Sequence, residues 1–138
     1  MNKVLAILGA GELGKQIANF ALKDNHYNKV CFYDDFNVNE EIKGNTNDLI
    51  SDFNNKLFDE LIIGYNHLKA SEEKYTLLKN KVKFGKIIHS TSWVDQSAII
   101  GDGCVIYPKC VIDKNVIIKN NTILNLSCTI AHDTTIGS

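Results

Sequence analysis

Eight aliphatic side chains recur at a strict six-residue spacing through the last third of the chain: Val94, Ile100, Ile106, Ile112, Ile118, Leu124, Ile130 and Ile136. With 44% of residues apolar, eight hits in eight arise by chance about once in 700 tries, so a structural repeat takes precedence over any single helix or strand. Two residues before each aliphatic stand small side chains: Ser92, Ala98, Cys104, Cys110, Val116, Thr122, Cys128 and Thr134. One residue before stand Trp93, Ile99, Val105, Val111, Ile117, Ile123, Thr129 and Thr135, aromatic or β-branched throughout and suited to extended backbone. The positions that follow are mostly Gly, Asp, Lys, Asn or Pro, which turn a chain. Each hexad therefore reads as one short strand and one corner. Such units stack into a parallel β-helix whose interior the aliphatics fill. An amphipathic α-helix is excluded, because a spacing of six rotates it by about 600° per repeat and scatters these residues around its circumference.

The preceding residues alternate between strand and helix patterns. Lys3 to Gly9, Lys29 to Asp35 and Asp59 to Tyr65 are short apolar runs. Glu12 to Leu22 has helical periodicity, and Ser71 to Lys81 reads as a helix capped by Ser71. Asn37 to Asn55 is polar loop with a short helix, and Gly85 to His89 reads as a fourth strand leading into the repeats. Alternation of this kind implies a small parallel sheet with helical crossovers. The expected organisation is an α/β domain over residues 1–88 and a β-helix over 89–138.

A net charge of −1 gives no electrostatic case for nucleic acid or an acidic membrane surface. No segment approaches the roughly 18 apolar residues of a membrane span, and the start breaks into glycines before it resembles a secretory signal, so a cytoplasmic setting is expected. All fifteen basic residues are Lys, so any phosphate would be held by backbone N–H groups and Lys rather than by an Arg fork. Three of the four cysteines, Cys104, Cys110 and Cys128, fall on the small inward position, and Cys31 lies in an apolar run. None has metal-ligand spacing, and all four are expected to be buried reduced thiols. No His or carboxylate cluster points to a metal.

Gly9-Ala10-Gly11-Glu12-Leu13-Gly14 matches G-x-G-x-x-G, follows a strand and opens a helix, and Asp34 and Asp35 end the next strand about twenty residues on. Glycines there let a diphosphate approach a helix N-terminus, and a carboxylate binds ribose hydroxyls. NAD binding is the immediate reading. Only one mononucleotide-binding half fits before the repeats begin, however, which suits a single nucleotide. A tight strand-to-helix turn with no ligand is the alternative.

Together these features resemble the hexapeptide-repeat sugar acyltransferases, the sialic-acid O-acetyltransferase and UDP-4-amino-sugar N-acetyltransferase group. The resemblance runs through nearly all of the chain. It is carried by ILGAGELGKQIA at the start, FYDD, IIGYN at 62–66, IIHSTSWVDQSAIIGDGCVIYP at 87–108 and NLSCTIAHDTTIG at 125–137. It implies an N-terminal Rossmann-like domain holding the nucleotide-sugar through the glycine loop, Asp34, Asp35 and Asn66. A left-handed β-helix then trimerises and binds acetyl-CoA as co-substrate between subunits. It also implies a catalytic His132 followed by Asp133, with Asn125 seven residues before the histidine, and His89 lining the acceptor site. The implied partners are a UDP-amino-sugar or sialic-type sugar and a homotrimer of the chain itself. The sequence departs from the family in Glu12-Leu13, where Gly-His is usual, and in Lys69 near a usual Arg. It also ends in mid-hexad at Ser138, so the β-helix is expected to be incomplete and short of the coils that hold most CoA contacts.

His132 falls on a corner, where Gln96, Asp102, Pro108, Lys114, Asn120, Leu126 and Ser138 stand in other hexads. Its default reading is a solvated turn residue. In acyl transfer from a thioester, an imidazole titrating near neutrality suits removal of the proton from an attacking amine or hydroxyl, and Asp133 would stabilise the imidazolium. The competing expectation is a non-catalytic nucleotide-sugar-binding module.

Overall fold

The computed structural model describes residues 3–23 and 26–137. The chain divides into two compact units, Met1–Gly85 and Lys86–Ser138.

In the first unit β1 (Val4–Leu8) lies between β2 (Lys29–Tyr33) and β3 (Glu60–Ile63), all parallel. The crossovers carry α1 (Glu12–Lys23) and α2 (Thr46–Asn54), and α3 (Leu68–Leu78) follows β3. The strands are continuously apolar because both sheet faces are covered. Ala6, Leu8, Cys31, Tyr33, Leu61 and Ile63 form one face and pack with Leu49 of α2, Leu78 of α3, and Phe58 and Phe84. Leu5, Ile7 and Ile62, of opposite parity, are equally inaccessible, and α1 buries Ile17, Ala18, Phe20 and Ala21 where it meets β1 and β2. Because the chain steps from β1 to one side and then to the other, the carboxyl ends of the strands form the crevice where open α/β sheets bind ligands.

One local expectation is corrected here. The third helix begins at Leu68, and its cap is His67, whose Nδ1 accepts the Ala70 N–H at 3.2 Å; Ser71 is buried inside the helix. An imidazole nitrogen replaces the hydroxyl expected at that position. His26 is half-buried.

Among its described residues the second unit has nine two-residue strands, β4 (Ile87–Ile88), β5 (Trp93–Val94), β6 (Ile99–Ile100), β7 (Val105–Ile106), β8 (Val111–Ile112), β9 (Ile117–Ile118), β10 (Ile123–Leu124), β11 (Thr129–Ile130) and β12 (Thr135–Ile136). They form three parallel three-stranded sheets, β10-β7-β4, β11-β8-β5 and β12-β9-β6. Partners are three hexads apart, as in Ile88↔Ile106↔Leu124 and Val94↔Ile112↔Ile130. Each coil therefore takes eighteen residues, and the stack fits a left-handed β-helix. The Gly85–His89 segment is not a strand of the first sheet. Ile88 extends the six-residue series one step back, and its strand pairs with β7.

The corners explain the residue pattern. Gly103, Lys109, Asn115, Asn121, Ser127 and Asp133 all have φ between 57° and 78°, one every six residues. That left-handed turn aims the corner N–H along the stack: Asn121, Ser127 and Asp133 donate to the carbonyls of Asp102, Pro108 and Lys114 in the preceding coil at 2.8 to 3.1 Å. Where the first coil lacks such a corner, the hydroxyls of Thr91 and Ser97 accept from Lys109 and Asn115 instead. Asn and Asp tolerate this conformation better than most residues, which accounts for the Asn-rich repeats. The thiols also work inside: Cys104 and Cys110 donate to the carbonyls of Lys119 and Asn125 at 3.1 Å. Among the described residues all four cysteines are free of disulfides, but Cys128, expected to be buried, is only half-buried in the last coil.

Ile106 is fully buried in the middle strand of its sheet. Ile106→Ala is expected to lower unfolding free energy in urea titrations by about 3 kcal/mol; Ile136→Ala, at a half-buried position of the last coil, by less than half of that.

Candidate functional site

In the first unit the glycine loop leaves β1 at Gly9. The backbone there has φ 119°, and an added Cβ would sit 2.8 Å from the Gly64 backbone at the end of β3. Gly14 is equally constrained, since its Cβ would fall onto the Gly9 carbonyl. These two glycines serve the fold. Gly11 does not: its φ is not left-handed, and a Cβ there would meet nothing within 4 Å. It is exposed, and its carbonyl accepts the first helical bond, from Lys15 N–H at 3.0 Å. Glu12 is exposed and Leu13 half-buried in the first turn of α1. The loop thus presents an open helix N-terminus at the carboxyl edge of the sheet, able to receive an anionic group closely.

Asp34 and Asp35 lie where expected, just past β2, but their oxygens are already engaged. Asp34 is only 5% exposed. Its Oδ2 accepts the Ala10 N–H at 2.9 Å and the Asn37 Nδ2 at 3.3 Å. Its Oδ1 accepts the N–H groups of Phe36 at 2.7 Å and Asn37 at 3.0 Å. One carboxylate therefore ties the glycine loop to the turn after β2. Burial pushes its pKa up, but these bonds outweigh burial and hold it below the usual carboxylate range. Asp35 accepts from Thr46 N–H at 2.8 Å and Thr46 Oγ1 at 2.6 Å and pairs with Lys74 Nζ at 2.7 Å; here too burial is outweighed, by Lys74 and Thr46, and the pKa is lowered. Sequence reasoning missed Thr46 and Lys74, because long-range side-chain partners leave no local signal. It also missed the roles of Tyr65 and Phe36. The Tyr65 hydroxyl accepts the Asp35 N–H at 3.1 Å, burial lifts its pKa to about 12, and the 71% exposed Phe36 packs edge-on against it at 5.4 Å. Asn66 is exposed in the turn between β3 and α3.

In the second unit His132 and Asp133 share a corner between β11 and β12. His132 Nδ1 lies 2.8 Å from Asp133 Oδ2, with the two side chains 70% and 65% exposed. The Asp133 hydrogen bond and charge, with the charge of Asp113, raise the His132 pKa above its ordinary value; the His132 bond, then that of Asn115, lowers Asp133. With Nδ1 engaged by Asp133, Nε2 is the ring nitrogen left to exchange a proton. Asn125 is exposed one hexad earlier, where its Oδ1 accepts the Leu126 N–H at 2.8 Å. His89, half-buried after β4, accepts the Thr91 N–H at Nδ1, 3.2 Å away, and lies 3.0 Å from Thr91 Oγ1. The fold brings His132 and Asp133 into contact but gives Asn125 and His89 local partners. Among the described residues no group of three or more His, Cys, Asp or Glu could hold a metal ion, and no helix is long and apolar enough to cross a membrane.

Compared with known proteins, the chain matches no protein-family model and no curated sequence. Its fold is shared by solved acetyltransferases. It is 28% identical to the acetyltransferase domain of PglB from Neisseria gonorrhoeae, with a TM-score of 0.83, covering 99% of this chain and 68% of that one. The same domain has been solved in complex with acetyl coenzyme A. A mutant of perosamine N-acetyltransferase from Caulobacter crescentus, in complex with CoA and GDP-perosamine, matches with a TM-score of 0.87 at 15% identity, over 100% of this chain and 67% of that one. WeeI from Acinetobacter baumannii matches with 0.79 at 20% identity, over 99% and 68%. The neighbours described as acetyltransferases, the PglB domain and the perosamine enzyme, bear out the resemblance legible in the sequence. The PglB domain is solved with acetyl coenzyme A, and mutants of the perosamine enzyme with CoA.

Because the folded-state pKa values of Asp34 and Asp35 lie below those of an unfolded chain, their contribution is fully present above about pH 4 and is lost as pH falls through the folded values. Urea midpoints are therefore expected to be level from neutrality to about pH 5 and to fall below about pH 4. Asp34→Asn should flatten that fall and lower stability at neutral pH by about 2 kcal/mol.

Proposed function

We propose that the chain carries out acetyl-CoA-dependent acetylation of an amino group on a nucleotide-linked sugar, with His132 as general base. The observation that carries this reading is the corner pair of His132 and Asp133, 2.8 Å apart and open to solvent, in a β-helix shared with acetyltransferases. The first unit, read as Rossmann-like, holds the nucleotide part, with Gly11 leaving room for a phosphate at the start of α1. The neighbour bound to GDP-perosamine supports a nucleotide amino-sugar acceptor; a hydroxyl acceptor on a sialic-type sugar fits the base equally well but has no counterpart among those complexes.

In the reaction, the sugar amine attacks the thioester carbonyl, forming the C–N bond as the C–S bond breaks. The amine proton passes to His132 Nε2 and from there to the departing thiolate. Asp133 holds Nδ1–H and stabilises the imidazolium. Transfer is direct, without an acyl-enzyme: Cys104 and Cys110 lie buried with their S–H groups committed to carbonyls, and acetylation of the half-buried Cys128 during turnover would overturn this step. The reading includes a homotrimer and a cytoplasmic location. The chain spans about two-thirds of the length of its neighbours.

His132→Ala is expected to lower kcat by about 10² to 10⁴ while leaving nucleotide affinity unchanged; unaltered turnover would remove His132 from the mechanism. Since the base must be neutral and its pKa is raised, the acid limb of kcat/KM should lie above the ordinary imidazole value and move down in Asp133→Asn. Calorimetric titration with a UDP-4-amino-sugar, with NAD and CMP-sialic acid as comparisons, tests the first unit. Asn is among the best helix caps and position 11 has open space, so Gly11→Asn should keep thermal stability but weaken UDP-sugar binding at least tenfold. Unweakened binding would move the nucleotide away from the glycine loop.

A further inference from the structure

One edge of the second unit carries a polar column through three coils. Ser97, Asn115 and Asp133 occupy the same corner position, each eighteen residues from the next. The Ser97 hydroxyl donates to Asp95 Oδ2 at 2.5 Å and accepts the Asn115 N–H at 2.8 Å. Asn115 Nδ2 in turn donates to Asp133 Oδ1 at 3.2 Å, and the Asp133 N–H donates to the Lys114 carbonyl at 2.9 Å. Asp133 Oδ2 is left for His132 Nδ1. The sense of the amide follows from chemistry: an ionised carboxylate only accepts, so the NH₂ of Asn115 must face it.

We infer that Asn115 is a positioning residue for the acetyl transfer assigned to His132. By occupying one oxygen of Asp133 it reserves the other for Nδ1, which keeps the proton on Nδ1 and the lone pair on Nε2. The inference rests on the general-base reading. A carboxylate as exposed as Asp133 would otherwise turn freely about its last torsion and present either oxygen to water. The left-handed backbones of Asn115 and Asp133, φ 57° and 61°, hold the amide and carboxylate one rung apart, about 4.8 Å, within reach of a direct bond. The charged groups acting on this corner are Asp133 and Asp113, which favour the imidazolium, and Lys114, which favours the Asp133 carboxylate.

The test is a pair of variants at a position where glycine is conformationally at ease. In Asn115→Gly, the His132 titration followed by imidazole NMR on the chain without ligand should move down toward the ordinary value, and the Nε2–H tautomer should gain population. With acetyl-CoA and amino-sugar nucleotide, kcat should fall about tenfold, well short of the loss of the base itself, with KM within twofold. Asn115→Asp should move the titration up, by adding a second carboxylate. A folded Asn115→Gly chain with parental titration and tautomer overturns the inference, and so does a shifted titration with undiminished kcat. If turnover persists in His132→Ala, the general-base reading falls and takes the catalytic role of Asn115 with it. The NMR result separates that failure from a failure of the Asn115 contact.

Discussion

Every sixth residue of the second unit must place a backbone N–H where the preceding coil can accept it. Strands of two residues cannot supply a continuous ladder, so the corner bond completes the pairing and the left-handed turn is its geometric cost. Lys109, Asn115, Asn121, Ser127 and Asp133 all adopt φ near 60°, each against the ordinary preference of an L-residue. The corner then projects its side chains in register with those eighteen residues away. That register puts Asn115 beside Asp133. It also stacks His132 above Lys114 and Gln96 in the same column, so the chemistry at this edge follows from how the backbone satisfies its own hydrogen bonds.

The first unit solves a related problem with one carboxylate. Its glycine loop and the turn after β2 both expose N–H groups at the carboxyl edge of the sheet, and Asp34 collects three of them. Charge-assisted bonds of this kind are short and strong, and they fix the loop on which Gly11 stands. Asp35 joins the same edge to α2 and α3 through Thr46 and Lys74. The edge is thus held in one arrangement by contacts within the chain itself.

The repeat, the strand and helix order, and the inward small and aliphatic positions were all legible, because each rests on a period that the sequence displays directly. The eighteen-residue coil was legible only conditionally, since a period of six does not say how many hexads close a turn. Ile88 was missed as the first member because Lys86 breaks the small-residue pattern two positions before it. His67 was missed as a cap because imidazole is a rare one. The contact of His132 with Asp133 is local and could be anticipated. The partners of Asp35 could not, since Thr46 and Lys74 are brought to it by folding alone.

The G-x-G-x-x-G pattern merges two kinds of glycine that only the structure separates. Gly9 and Gly14 are required by close backbone approach, and an observer of the motif alone would credit them to a ligand. Gly11 has no such requirement, since a side chain there would meet open space. The same reasoning applies to the corner at His132. Lys114, Asn120 and Leu126 at the His132 position, and Asn115, Asn121 and Ser127 at the Asp133 position, show that the corner needs neither an imidazole nor a carboxylate, and an ion pair this exposed adds little to stability. Asp34, by contrast, has a structural role in the N–H groups it binds. Subtracting what the fold demands leaves Gly11 in one unit and the His132–Asp133 pair in the other as the positions that neither close packing nor the corner geometry requires.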